Sequence, residues 1–491
     1  MSSLPQFTLT RRRLLEKAMA AGGAAAVNAW WPARGATRSS AQSLAQTLNA
    51  ISYSTLPPTT IEYAKILVAS TLASAAAGSA IGSARIIREL AKDQGGKAEA
   101  PIWFDGAKLP VNQAARVNAM ASDAAASDDS DLRNVAHTGT CLTAVGLALA
   151  ARTGATGQDL LCAMVTGYEA AGRIAEAVTP PTEALSGSWG RGFHASVIVT
   201  FGGVAAAARL LKLNDEQTAN AIGLTATTMG GLAIGTNSWA REYHAGNAAL
   251  CAVNAALAAG HGYTVNEDML EARGGFLAVF SGDNANPAAL TRGLTAEYQI
   301  SKFLAIKLVP GAHALQPAVE AAVAAARQTN VVPAQVAKIL VSGPQIRTVG
   351  NNGVPQNMVE AIHSLPYFLA SAVVDKDFSW VHTTPEKIHR AEVARLIQLV
   401  QVDPAPIPVH HNWSWGATVT IVTNSGAKYT NTVDAPRGSA PRGIEWSDID
   451  AKFHALMPQS GMSAARIDQT LRVIHELDRV RSTMQLTDLL R

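Results

Sequence analysis

The sequence predicts a mainly α protein: a large all-helical domain interrupted by a smaller, inserted α+β domain. Three observations carry this reading. From about Ser43 to Ala305 apolar residues recur at helical spacing, with alanine and glycine at many positions, a texture for close helix packing and not for a βαβ array. From about Lys302 to Asp434 strand-like alternation enters, and after Pro436–Gly438 the chain reads as helix to its end. The last stretch is therefore expected to return to the first domain. The expected boundaries are 41–301 and 435–491 for the helical domain and 302–434 for the insertion, preceded by a segment 1–40.

That leading segment, "TRRRLLEKAMAAGGAAAVNAWWPARGA", has consecutive arginines, Leu14 and Leu15, a weakly apolar Ala/Gly stretch and small residues at Ala33 and Gly35. It reads as a twin-arginine export signal, an address to the bacterial periplasm and not an anchor. The bland alternative is a basic amphipathic tail. Next, "LPPTTIEYAKILVASTLASAAAG" begins with Pro and Thr, as a helix N-terminus does, and places Ile66, Leu67, Thr71 and Leu72 on one side. "GQDLLCAMVTGYEAAGRIAEAV" repeats the pattern through Leu161, Val165 and Tyr168. "ASVIVTFGGVAAAA" is a buried helix, shorter than the ~18 apolar residues of a membrane span. "NDEQTANAIGLTATTMGG" carries capping residues at its start and glycines at its end. In the insertion, "AKILVSGPQIR" alternates like a strand, and "GATVTIVTNSGAKYTNTVDA" reads as two strands joined at Asn424–Gly426. "SLPYFLASAVV" and "AEVARLIQLV" are helix-like, as are "EWSDIDAKFHALM" and "QTLRVIHEL" beyond the insertion.

Composition excludes several functions. With 491 residues, 48% hydrophobic and 16% charged, the chain buries a large core. A net charge of +3 gives no electrostatic footprint for nucleic acid. Cys141, Cys162 and Cys251 form no C-x-x-C pair, which disfavours a disulfide framework or a cysteine-ligated cluster.

The acidic stretch "SDDSDLRNVAHTGTCL" raises the functional question. An EF-hand starting at Asp129 would need an acceptor, Gly and Glu where Arg133, Asn134 and Thr140 stand. No H-E-x-x-H or G-x-S-x-G occurs, and His410–His411 lacks a zinc-spaced partner. "GRGFHA" matches a dinucleotide fingerprint formally, with no strand before it. What remains is an ordered set of proton-transferring or cationic side chains in small-residue surroundings: His137, His194, Arg241, Lys307 and Tyr367.

In this order the blocks resemble the MmgE/PrpD family of 2-methylcitrate dehydratases and cis-aconitate decarboxylases. The resemblance rests on the acidic loop ending at His137, Gly192–His194, "AREYHAGNAA", Ile306–Pro310, Ser364–Tyr367, Pro436–Gly438 and Lys452–Phe453. It implies a helical domain with an α+β lid, a homodimer, and an interdomain site. It also implies elimination of water or carbon dioxide from a small di- or tricarboxylate, without metal or other cofactor. His137, His194, Lys307 and Tyr367, with Asp129, would then be catalytic. Arg241, His313, Asp128 and Ser130 would hold the substrate, Arg241 as a bidentate clamp. Departures are visible too: Ala126 stands where the family's loop has its first acid, Ser130 replaces a threonine, Arg241 a common lysine, and Gln316 a histidine of some relatives. The same set could serve an isomerase or epimerase, or a carboxylate-binding protein without turnover.

Overall fold

The structure is a computed structural model describing residues 38–178, 192–294, 297–328, 330–344, 346, 348–350, 353–406 and 415–491. The expected export signal lies outside the described residues, as does the His410–His411 pair.

The helical region is built from α1 (Ser40–Asn49), α2 (Pro58–Gly78), α3 (Gly82–Gln94), α4 (Val111–Ala124), α5 (Thr138–Thr153), α6 (Gly157–Val178), α7 (Ser196–Leu210), α8 (Asp215–Thr228) and α9 (Ala240–Gly260). Pro58 opens α2, where a missing N–H costs no helical bond. The one-sided pattern read in α2 is not what folds: the helix is buried on nearly all sides, because alanines let neighbours approach from every direction. Asn214 caps α8 in a reciprocal box with Gln217. α7 is buried almost throughout and packs on α5, α6 and α9. Among the described residues no single helix is long and apolar enough to cross a membrane.

Two short antiparallel ladders, unforeseen in the sequence, interrupt these helices. One pairs β1 (Ala100–Pro101) with β2 (Lys108–Leu109); the other pairs β3 (Asp129–Asp131) with β4 (Leu304–Ile306). β3 reads "DSD", residue types depleted in strands, and its burial and partner override that preference.

Beyond β4 a second sheet forms from β5 (Val336–Ser342), β6 (Val400–Val402), β7 (Ala417–Thr423) and β8 (Lys428–Val433), in the order β6-β5-β7-β8. β7 and β8 are a hairpin turning at Asn424–Gly426, β5 runs antiparallel to β7, and β6 is parallel to β5. The segment "AEVARLIQLV" is helical only to Ile397; its valine end, with Val402, becomes the edge strand β6. Helices α10 (Gln316–Arg327), α11 (Leu365–Asp375) and α12 (Ala391–Ile397) complete this region, whose apolar cluster runs from Ala318 to Ile421. The helical region's cluster spans Ala41 to Ile306 and resumes at Ile444. There α13 (Trp446–Leu456) and α14 (Ala464–His475) lie against α2. The architecture is mainly α with a small sheet region toward the C-terminal end.

Candidate active site

The β3–β4 ladder builds the centre of the site. Its register sets Asp129 opposite Ile306, so the residues one step outward, Asp128 and Lys307, also meet. The Lys307 amide donates to the Asp128 carbonyl at 3.1 Å, and its Nζ donates to Asp128 Oδ1 at 2.7 Å. The other carboxylate oxygen, Oδ2, accepts from Nδ1 of His137, the residue that starts α5. Lys307 Nζ is 3.2 Å from the same Nδ1, so Asp128 bridges a lysine and a histidine. Burial by itself would raise the Asp128 carboxyl, but His137 and Lys307 outweigh it and hold it well below the usual range. An ionised carboxylate only accepts, so His137 carries its proton on Nδ1. With that proton alone on the ring, Nε2 presents its lone pair, the edge suited to take a proton.

Behind this trio sits Lys452 of α13, which donates to Ser70 Oγ at 2.7 Å and to the Asp128 carbonyl at 3.3 Å. Full burial lowers its ammonium to about 7.

Arg241, in the first turn of α9, reaches back to the end of α4. Nη2 donates to the Asp123 and Ala124 carbonyls at 2.9 and 3.2 Å, and Nε lies 3.1 Å from Asp123 Oδ2. The ionic distance is short, but the Nε–H does not point along it, so the pair is ionic without being a hydrogen bond. The guanidinium thus serves partly as a cationic cap on the α4 C-terminus.

Four histidines complete the surroundings. His194 Nδ1 accepts from the Ser196 amide at 3.1 Å, which leaves the ring proton on Nε2. Burial, then His137, His244 and Arg241, pull its pKa down to about 3, so the ring is neutral. His244 lies 4.9 Å from it, centroid to centroid. His313 is 2% exposed, and neither ring nitrogen has a hydrogen-bond partner among the described residues. Burial drives it well below the ordinary histidine value. His363 donates from Nδ1 to the Val359 carbonyl at 2.9 Å.

A cavity of about 310 Å³ gathers these groups: His137, His194 and Arg241 come from the helical region, Lys307, His313 and His363 from beyond β4. Backbone bonds lace its far side, Gly311 to the Ala126 carbonyl and Ala312 to the Ile362 carbonyl, both at 2.8 Å. Gly311 has φ +104, and a Cβ there would stand 2.4 Å from the Ile362 oxygen, so glycine is required. Val135, another lining residue, is held at φ 61, a conformation strained for a β-branched side chain.

Asp128, expected to hold substrate, is not in the described cavity lining and has its oxygens engaged by Lys307 and His137 instead. Three further expected site residues are elsewhere. Tyr367 is fully buried in the second apolar cluster, and its hydroxyl donates to the His382 carbonyl at 2.5 Å, so it does not line the cavity. The "SLPY" turn starts α11 and Tyr367 projects into the core side of that helix. Asp129 lies behind the ladder and accepts the Gly139 amide at 2.9 and 3.1 Å on its two oxygens. Burial, then Asp128, raises its carboxyl well above the ordinary value. Gly139 is needed for this contact, since a Cβ would fall 2.5 Å from Asp129 Oδ1. Ser130 is buried on β3 with no partner for its hydroxyl among the described residues.

Asp123, His363 and Lys452 are the members to which the sequence reading gave no role, although Lys452 stands in one of the blocks that carry the resemblance. His363 heads the "HSLPY" block and could have been found there; Asp123, at the end of a plain α4, carried no signal. Asp123, Asp128 and His137 offer three metal-ligand atoms within 4.8 Å of one another. Lys307 and Arg241 already stand against the two carboxylates, at 2.7 and 3.1 Å, so the set suits fixed cations better than a divalent ion.

The fold and the cavity define a mainly α protein with a pocket lined by lysine, arginine and histidines, and comparison with known proteins gives its family and, through it, the lyase class. The MmgE/PrpD N-terminal domain matches residues 42–289 and the MmgE/PrpD C-terminal domain residues 310–476; the chain belongs to the MmgE/PrpD family. It is similar to cis-aconitate decarboxylase of Homo sapiens, 23% identical over 466 residues, covering 92% of this chain and 95% of that protein. It is also similar to cis-aconitate decarboxylase of Mus musculus, 25% identical over 401 residues, covering 78% and 79%.

Proposed function

We propose that the chain eliminates water or carbon dioxide from a small di- or tricarboxylate, with no cofactor taking part. One observation carries the reading: the described cavity lining offers Lys307, Arg241 and histidines but no acid, the carboxylates of Asp123 and Asp128 being set behind the cations. A polyanion meets donors in front and charge balance behind.

In dehydration, His137 Nε2 takes the proton from the carbon next to a carboxylate. The electron pair moves into the carboxylate as enolate-like charge beside Lys307, then forms the double bond as the hydroxyl leaves as water with the proton that His137 has taken. In decarboxylation the bond to the departing carboxylate breaks, its pair remains on carbon, and His137, having taken a proton from solvent, donates it there. Asp128 orients His137 in both. His313, buried with both nitrogens unpartnered among the described residues, supports a ligand at this position. Incubation with citrate, 2-methylcitrate and cis-aconitate, followed by NMR, tests the reading; unchanged acids would remove it. In heavy water, deuterium entering recovered substrate without net loss would favour the isomerase alternative.

Two further parts of the proposal concern setting. Export to the periplasm by the twin-arginine segment is supported by Arg11–Arg13 and the Ala/Gly stretch, and cell fractionation of the full chain tests it. A homodimer is supported by exposed Ile86 and Leu90 on α3 beside exposed Ile234, Trp239 and Tyr243, which border the cavity residues Thr236 and Arg241. Sedimentation of the wild type and of Ile234→Asp tests that assignment.

A further inference from the structure

His363 offers what His194, Lys307 and Arg241 around the cavity do not, and unlike His137 it has no part in the proton transfer. A carbonyl can only accept, so the 2.9 Å contact with Val359 fixes the ring proton on Nδ1 and leaves the lone pair on Nε2. Burial, then Arg241, lowers its pKa to about 4, so the ring stays neutral near pH 7. Among the described residues nothing donates to Nε2, and the ring lines both the main cavity and an adjoining one of about 260 Å³. That second space is bordered by Asn237, Val354, Pro355 and Ser364, with one acid, Glu360, and no cation among its described lining.

The contrast with His194 is chemical. There the Ser196 amide donates to Nδ1 and forces the proton onto Nε2. Lys307 and Arg241 can only donate. A carboxylate oxygen finds donors on these residues, but against His363 two lone pairs would face each other. A hydroxyl group, in contrast, has the hydrogen that this nitrogen lacks.

We propose that His363 is a specificity-determining residue that accepts a hydrogen bond from a hydroxyl of the carboxylate ligand, where the two cavities meet. The proposal rests on the polycarboxylate reading above and adds to it a neutral donor that the ligand must carry.

Calorimetric titration with citrate and tricarballylate, acids differing by one hydroxyl, tests it. The wild type is expected to bind citrate at least ~10-fold more tightly, since a buried acceptor left unpaired penalises the analogue. His363→Leu should bring the two affinities within ~3-fold of each other, by weakening citrate and leaving tricarballylate nearly unchanged. His363→Gln, which keeps an acceptor, should retain part of the preference. Equal wild-type affinities, or a preference that survives in His363→Leu, would overturn the role of His363 and leave the polycarboxylate reading standing. Failure of both acids to bind would overturn both.

Discussion

The two sides of the cavity are made from opposite materials. On the side of β3, β4 and the start of α5, charges are buried in pairs: Asp128 with Lys307 and His137, Asp123 with Arg241. On the side formed by Gly311–His313 and His363, the polar groups are neutral histidines, and His313 has no partner for either nitrogen among the described residues. The first arrangement has its interactions already made and is suited to moving a proton in fixed geometry. The second keeps interactions unmade until a ligand supplies them. Stability and recognition are thereby assigned to different walls.

The comparison predicts that variants of the two walls fail in different ways. Lys307→Met should lower kcat by about 10²–10⁴. It should also destabilise the fold by about 3 kcal/mol, because Asp128 stays buried with half its compensation gone. Chemical denaturation alongside turnover would check both; a variant as stable as wild type would show that the paired wall does not depend on its pairs. His313→Leu should do the reverse, weakening ligand affinity by ~10-fold while the melting temperature holds or rises, since the leucine removes unpartnered polar atoms. A clear drop in stability would mean that His313 is bonded within the fold.

A third prediction concerns pH. Lys452 has its folded pKa lowered from 10.5 to about 7. The unfolded chain therefore binds more protons between those values, and stability gains from this residue as pH rises from 7 toward 10.5. The contribution is fully present above the unfolded value and is lost as pH falls through the folded one. Lys452→Met should flatten that slope in denaturation curves taken at pH 7 and pH 9. The smallest effect is expected at Tyr367, whose hydroxyl is engaged by His382 away from the cavity. Tyr367→Phe should cost about 1 kcal/mol of stability and change kcat less than ~3-fold; a loss beyond ~100-fold would place the hydroxyl back in the chemistry.

Legibility followed periodicity. Long helices such as α6 and α7 and the β7–β8 hairpin announce themselves through repeating apolar positions and a turn at Asn424–Gly426. The ladder that makes the site has no such repeat: three residues reading "DSD" pair with three reading "LAI". Only the tertiary partner makes Asp129–Asp131 a strand, so the meeting of Asp128 and Lys307 was invisible even though both residues were candidates. Tyr367 shows the opposite case. Its block was easy to find, but a motif locates a turn and does not say which way one side chain of the following helix points.

The seam between β3 and β4 has a kinetic consequence. Asp128 and Lys307 are 179 positions apart, so their contact closes one of the long loops of the chain. Three paired residues also fix its alignment, and a slip by one would turn Lys307 to the opposite face. During refolding, helix content should therefore return before activity does. A partly assembled chain would be silent, and the recovery of turnover would time the closing of that loop.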